Sequence, residues 1–254
     1  METLAVFHIL KTGGTTLVDR YKHNKGFAYQ RVKNELVYRY QQPEQETIEI
    51  TDALIFSSPP NVVFGHGVTF NWDYLSTKPV KYATILRQPC ERMLSAYNYF
   101  KLEMYTIHKV NTTIDFRTWF INRSRLLPTP VFYQWQTFTD TPNKCYATEF
   151  GKQVDVDAME DDYVNAINNV SKLDHILFME DDYVKQFDII AKAYSMKPNK
   201  DILHTHNTKN ELRRIGQTYT TYEDLEEYNQ EMLHNYLAND YAFYDYCKQQ
   251  EKLK

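Results

Sequence analysis

Cysteine is scarce. Cys90, Cys145 and Cys247 are odd in number and far apart, which gives neither a disulfide framework nor a zinc spacing. Reduced, buried thiols are the expectation. A basic excess is also missing. Lys and Arg number 29 against 33 Asp and Glu, for a net charge of −4. That balance argues against a protein that coats nucleic acid. No apolar run has the length needed to cross a bilayer, so no membrane segment is expected. Only seven residues precede His8, and they read as part of a strand rather than a signal peptide. A cytoplasmic protein is the expectation, and there the N-x-[ST] triplets at Asn111, Asn122 and Asn169 have no meaning as glycan acceptors.

Aromatic bulk is plentiful. The chain has 21 Tyr and 14 Phe, suited to core filling and to stacking on flat ligands or sugars. Its length suffices for one large α/β domain. Apolar runs at 4–10 (LAVFHIL), 61–67 (NVVFGHG), 82–87 (YATILR) and 175–179 (HILFM) read as strands. A helix is expected over 15–24, with Thr15 or Thr16 near its cap. Another is expected over 91–105, where Met93, Leu94, Tyr97, Phe100 and Met104 recur at helical spacing and Pro89 can open the helix. Further helices are expected over 113–123 and through most of 222–250. Residues 25–60 read as mixed and polar, and 124–156 as irregular.

Strands alternating with helices predict a P-loop-like, three-layer α/β domain, with a mainly parallel central sheet flanked by helices. A single domain with a largely helical part from about residue 205 is expected. Ligands of such sheets sit outside the carboxyl ends of the strands. Three chemically active pieces fall there: the Lys11 loop, His66 and Arg87. A hexapeptide, MEDDYV, occurs at 159–164 and again at 179–184. It can be read as an acidic metal site, but the preferred reading is that both copies begin helices, whose positive dipole ends favour acids.

The stretch HILKTGGTT, His8 to Thr16, resembles a phosphate loop with its lysine first. A nucleoside-triphosphate loop has its lysine after the glycines. Gly13 and Gly14 let backbone approach an anion, and the amides from Gly13 to Thr16 point at it from a helix start. Thr15 and Thr16 add hydroxyls, and Lys11 can reach the anion's outer face. The alternative is a plain strand-to-helix turn. Arg87 closes a strand, and Ser95 lies on the second turn of the next helix. Together they suit a second phosphate, whereas Arg87 alone could simply pair with Glu91. The strands end in His66 and Arg87 rather than in the Asp of a magnesium site.

HILKTGGTT and ILRQPCERMLSAYNYF together resemble the PAPS-dependent sulfotransferases. The nearest branch is that of the heparan sulfate and related carbohydrate enzymes. Lys11, Thr12, Gly13, Gly14, Thr15 and Thr16 match the motif that holds the 5′-phosphosulfate. Arg87, Pro89, Arg92, Ser95 and Tyr97 match the motif that holds the 3′-phosphate. Leu10 and Gln88 depart from the Pro and Asp that the family prefers. A looser likeness lies in NDYAFYDY at 239–246.

The resemblance implies a transferase using PAPS as co-substrate, with no metal required and a hydroxyl-bearing acceptor, most simply a saccharide. His66, in the setting Gly65-His66-Gly67, stands where the 2-O- and 6-O-sulfotransferases place a general base. Its flanking glycines would leave room for a bulky acceptor. Lys209, Arg213 and Arg214 are implied as parts of a loop over the nucleotide, while His204 and His206 lack the partners of a metal site. Arg117, Arg123 and Arg125 read as a solvated face. The short leader differs from Golgi enzymes of the family and implies a bacterial or viral origin. A P-loop small-molecule kinase and a non-catalytic nucleotide- or glycan-binding protein of the same fold are the alternatives.

Overall fold

The computed structural model describes residues 2–32, 35–38, 46–49, 55–56, 58–126, 134–138, 156–202 and 207–251. The strands are β1 (Thr3–Phe7), β2 (Phe27–Val32), β3 (Glu35–Tyr38), β4 (Glu46–Glu49), β5 (Val62–Gly65), β6 (Val80–Leu86) and β7 (His175–Phe178). They form one sheet in the order β4-β3-β2-β5-β1-β6-β7. The five strands β2, β5, β1, β6 and β7 run parallel, and β3 and β4 extend one edge antiparallel. The helices are α1 (Gly14–Tyr21), α2 (Trp72–Leu75), α3 (Pro89–His108), α4 (Phe116–Leu126), α5 (Val156–Asn169), α6 (Tyr183–Ala193), α7 (Thr208–Arg214), α8 (Glu227–Tyr236) and α9 (Ala238–Glu251). Among the described residues no helix is long and apolar enough to cross a membrane.

The alternation of β1 explains the layers. Successive side chains of a strand point to opposite faces. Leu4 and Val6 join Leu17, Val18 and Tyr21 of α1 and Phe187 of α6 on one face. Ala5 and Phe7 join Ala166 of α5 and Phe243 and Cys247 of α9 on the other. All five residues of β1 are buried, so both faces are covered, as a parallel sheet requires. Burying both sides of such a strand is worth about 1.5–3 kcal/mol for each large apolar side chain. A third cluster, from Met93 to Phe100 with Trp119 and Leu233, packs α3 against α4 and α8.

The four apolar runs are all strands of the parallel set. The structure adds β2, β3 and β4 within 25–60, where no element is expected. β3 and β4 are four residues each, ELVY and ETIE, at the sheet edge. Such strands are held by backbone pairing and carry little apolar signal. α1 begins one residue earlier than expected, with Gly13 as its cap at φ 81 rather than a threonine. α3 opens at Pro89, as expected, and runs 20 residues. The C-terminal helical stretch is two helices divided at Leu237. Of 124–156, only 124–126, 134–138 and 156 lie in the described residues, and 135–138 form a 3-10 turn.

The first MEDDYV copy lies inside α5 rather than at its start. The second leads into α6, whose cap is Asp182 at φ 52. Its side chains serve the neighbouring loops. Glu180 accepts from the Gln88 amide at 2.7 Å and from the Tyr244 hydroxyl at 2.8 Å. The Tyr183 hydroxyl donates to the Gly13 carbonyl at 3.2 Å.

Candidate functional site

One cavity of about 430 Å³ opens at the carboxyl ends of β1, β5 and β6. It is lined by Lys11, Gly13, Gly14, Thr15 and Thr16 from the loop after β1, by His66 after β5, and by Arg87 and Ser95 from β6 and α3. The first and last of these residues, Lys11 and Ser95, are 84 positions apart in the sequence. The central position of β1 brings them together, because its neighbours are β5 on one side and β6 on the other. The loops on either side of such a strand leave a crevice between them.

The loop is built for close approach. Lys11 and Gly13 both have left-handed backbone, at φ 67 and φ 81. The first amides of α1, at Gly14 and Thr15, have no carbonyl to bond within the helix and carry its positive end. Thr12 departs from expectation. It is fully buried, and its hydroxyl donates to the Ile9 carbonyl at 2.9 Å. It closes the loop and does not line the cavity. Behind the loop, Arg20 of α1 makes a two-pronged bond to Asp188 of α6, at 2.8 and 2.6 Å. Its remaining nitrogen donates to the Asn199 and Ile202 carbonyls. The helix that presents the amides is thereby tied to the sheet's flank.

The Lys11 ammonium sits 3.8 Å from the centre of the Tyr99 ring, an arrangement that stabilises a cation. Burial, with Arg87 nearby, still lowers its pKa from about 10.5 to about 8, and Glu103 opposes that shift. Arg87 donates to the Lys11 carbonyl at 3.4 Å and pairs with Glu91 at 3.3 Å. The alternative pairing with Glu91 is therefore present, and Arg87 lines the cavity as well.

His66 is placed by main chain. Its Nδ1 lies 2.5 Å from the His8 carbonyl oxygen. A carbonyl only accepts, so Nδ1 carries the proton and Nε2 keeps its lone pair. Burial lowers the His66 pKa below its ordinary value, and the His8 bond partly offsets this. The ring is neutral at pH 7 with a free nitrogen available as a base. The flanking glycines serve packing rather than acceptor room. A Cβ on Gly65 would stand 1.9 Å from the Gln30 carbonyl oxygen on β2, and Gly67 is buried with its amide on that same oxygen at 3.2 Å.

Lys209 and Arg213 are exposed and stand outside the cavity wall. α7 instead turns Thr208 and Glu211 towards it, with Leu212 buried. Arg214 is exposed and pairs with Glu211 at 2.7 Å. His204 and His206 lie outside the described residues, as do the side chains of Arg123 and Arg125. Arg117 is exposed over the Tyr228 ring at 4.9 Å.

Several residues of the site were given no role in the sequence. His8 opens the stretch HILKTGGTT, where it reads as the end of a strand, and it lines the cavity. Tyr99 and Glu103 also line it, and their spacing from Ser95, four and eight residues along α3, marks the same helical face. Gln134 and Asp240 act one layer further out. The Gln134 side chain binds the Arg87 backbone from both sides, accepting from its amide at 2.9 Å and donating to its carbonyl at 2.7 Å. Asp240 takes the Gln134 amide at 2.6 Å and faces Arg92 at 3.4 Å, with both charged groups essentially fully buried. Gln88, where the resembled family prefers Asp, caps α3 by accepting from the Glu91 amide at 2.8 Å.

Comparison with family models and with curated proteins finds no match to this chain.

Proposed function

We propose that the protein is a sulfotransferase that moves the sulfuryl group of PAPS to a hydroxyl of an acceptor, most simply a saccharide. The observation that carries this reading is the convergence on one cavity of a lysine-first anion loop, an arginine–serine pair and a neutral histidine with a free nitrogen. A donor with phosphates at its 5′ and 3′ positions needs two anion sites, and the loop and Arg87–Ser95 supply two.

In this reading His66 Nε2 takes the acceptor proton as the acceptor oxygen forms a bond to sulfur. The bond from sulfur to the bridging phosphate oxygen breaks, and adenosine 3′,5′-bisphosphate leaves. Lys11 and the loop amides stabilise the charge that grows on the bridging oxygen. Arg87 and Ser95 hold the 3′-phosphate. Thr12 shapes the loop, and Lys209 and Arg213 would contribute only if α7 moved. A cytoplasmic setting belongs to the same reading, in which the buried Cys90 and Cys247 are reduced thiols.

The test is transfer of labelled sulfate from PAPS to a panel of mono-, oligo- and polysaccharides, run beside ATP with magnesium. Transfer from PAPS that falls about 100-fold or more in His66→Ala is the expected result. Phosphoryl transfer from ATP, with none from PAPS, would replace this reading with that of a small-molecule kinase.

A further inference from the structure

His8 keeps an imidazole where a plain aromatic ring would pack with less conflict. It lies 5.1 Å from Phe64 and stacks on His66 at 4.0 Å and 19°. Its Nδ1 is buried with no hydrogen-bond partner. A phenylalanine would make both ring contacts and strand no nitrogen, and a stranded buried polar atom is costly. The cost points to a task for the other nitrogen.

Nε2 faces the anion loop. A Cβ on Gly14 would stand 2.3 Å from Nε2 and 2.1 Å from Cδ2 beside it. Gly14 has no side chain because the imidazole edge occupies that space, and both residues line the cavity. Burial, then the charges of His66 and Lys11, hold the His8 pKa well below its ordinary value. The ring therefore has one proton to place. A buried N–H left unpaired is rarer than an under-used acceptor, so the proton belongs on Nε2 and the bare lone pair on Nδ1.

We propose that His8 is a further catalytic residue, whose Nε2–H donates a hydrogen bond to the anion seated on the Gly13–Thr16 loop. The identity of that anion as the 5′-phosphosulfate rests on the sulfotransferase reading; the hydrogen bond does not. An uncharged donor fits this place. His66 becomes an imidazolium as it takes the acceptor proton, and a second cation stacked 4.0 Å away would oppose it.

Two substitutions separate donation from stacking. His8→Phe keeps the stack and removes the donor, whereas His8→Gln keeps an N–H near Nε2 and removes the ring. Binding of inorganic pyrophosphate to the full chain is measured by calorimetry, and sulfate transfer from PAPS is measured in parallel. His8→Phe should weaken pyrophosphate binding about tenfold or more, and His8→Gln should recover most of it. Nitrogen-labelled histidine NMR of the unsubstituted protein should show the His8 Nε2 resonance moving when pyrophosphate is added, which holds even if a variant fails to fold. Wild-type binding in His8→Phe, equal loss in both variants, or an unmoved resonance would each overturn the proposal. Pyrophosphate binding without transfer from PAPS would sink the sulfotransferase reading and leave His8 to be judged on the titration alone.

Discussion

Gln134 stands to Arg87 as a neighbouring strand would. Its side-chain amide satisfies both the N–H and the carbonyl of Arg87, at 2.9 and 2.7 Å, just where β6 has ended. The arginine that faces the cavity is thus aimed by a glutamine 47 positions away. Gln134→Ala would remove the partner of two part-buried backbone groups, for a loss of about 1–3 kcal/mol after discounting for their partial exposure. The expected outcome is weaker binding of adenosine 3′,5′-bisphosphate with turnover at saturation little changed. Calorimetry with that nucleotide, beside kcat and KM, checks it.

Asp240 and Arg92 form a charged pair with side chains 0% and 1% exposed. Breaking one partner of such a pair leaves a buried charge, at a cost of about 3–5 kcal/mol. Asp240→Asn should therefore destabilise strongly in urea denaturation. Arg92→Met combined with Asp240→Leu should be less destabilised than the sum of the two single changes. Additive losses would show that the pair is not coupled.

Lys11 carries a half-buried positive charge, which the proposed anion would offset. Its folded pKa, about 8, lies below its ordinary 10.5. The folded state therefore holds this proton less well than the unfolded chain. The stability linked to this group is fully present above pH 10.5 and is lost as pH falls through 8. Lys11→Met should raise the stability of the ligand-free protein at pH 7 by on the order of 2 kcal/mol, after discounting for partial exposure. It should also flatten the rise between pH 8 and 10.5. Thermal melts across that range, with activity assays beside them, check both; turnover should fall by about 100-fold or more.

The same two groups set the pH profile. His66 has its pKa below 6.5 through burial, so its free base is present at neutral pH and disappears on acidification. Lys11 loses its charge above about 8. The ratio kcat/KM reports the free protein and should be bell-shaped, with an acid limb below 6.5 and an alkaline limb near 8. In kcat the alkaline limb should move upward, because a bound anion favours the charged lysine. An acid limb that persists in His66→Ala would assign the base elsewhere.

What was legible in the sequence follows from burial. β1, β5, β6 and β7 read as apolar runs because the parallel sheet is covered on both faces, whereas β3 and β4 sit at an edge where pairing needs no apolar side chains. Lys11, His66, Arg87 and Ser95 were legible because each follows or closes a recognisable element, and the order of the strands did the rest. That Lys209 and Arg213 stand outside the cavity wall was not legible, because the phase of a seven-residue helix cannot be read from its charges. Gln134 and Asp240 were invisible because their partners are 47 and 148 positions away. His8 could have been suspected, as the one ionisable residue in LAVFHIL.

The carbonyl that fixes the tautomer of His66 belongs to the main chain of residue 8. Every amino acid at that position would offer the same oxygen. The tautomer is thus insulated from mutation, because a change of the side chain on the same residue leaves that oxygen in place. On the proposed reading, exchanging the imidazole at position 8 would retune how the anion is held without dismantling the base at His66. A saturation library at position 8 should accordingly yield graded, measurable activities, whereas one at position 66 should be nearly all or none.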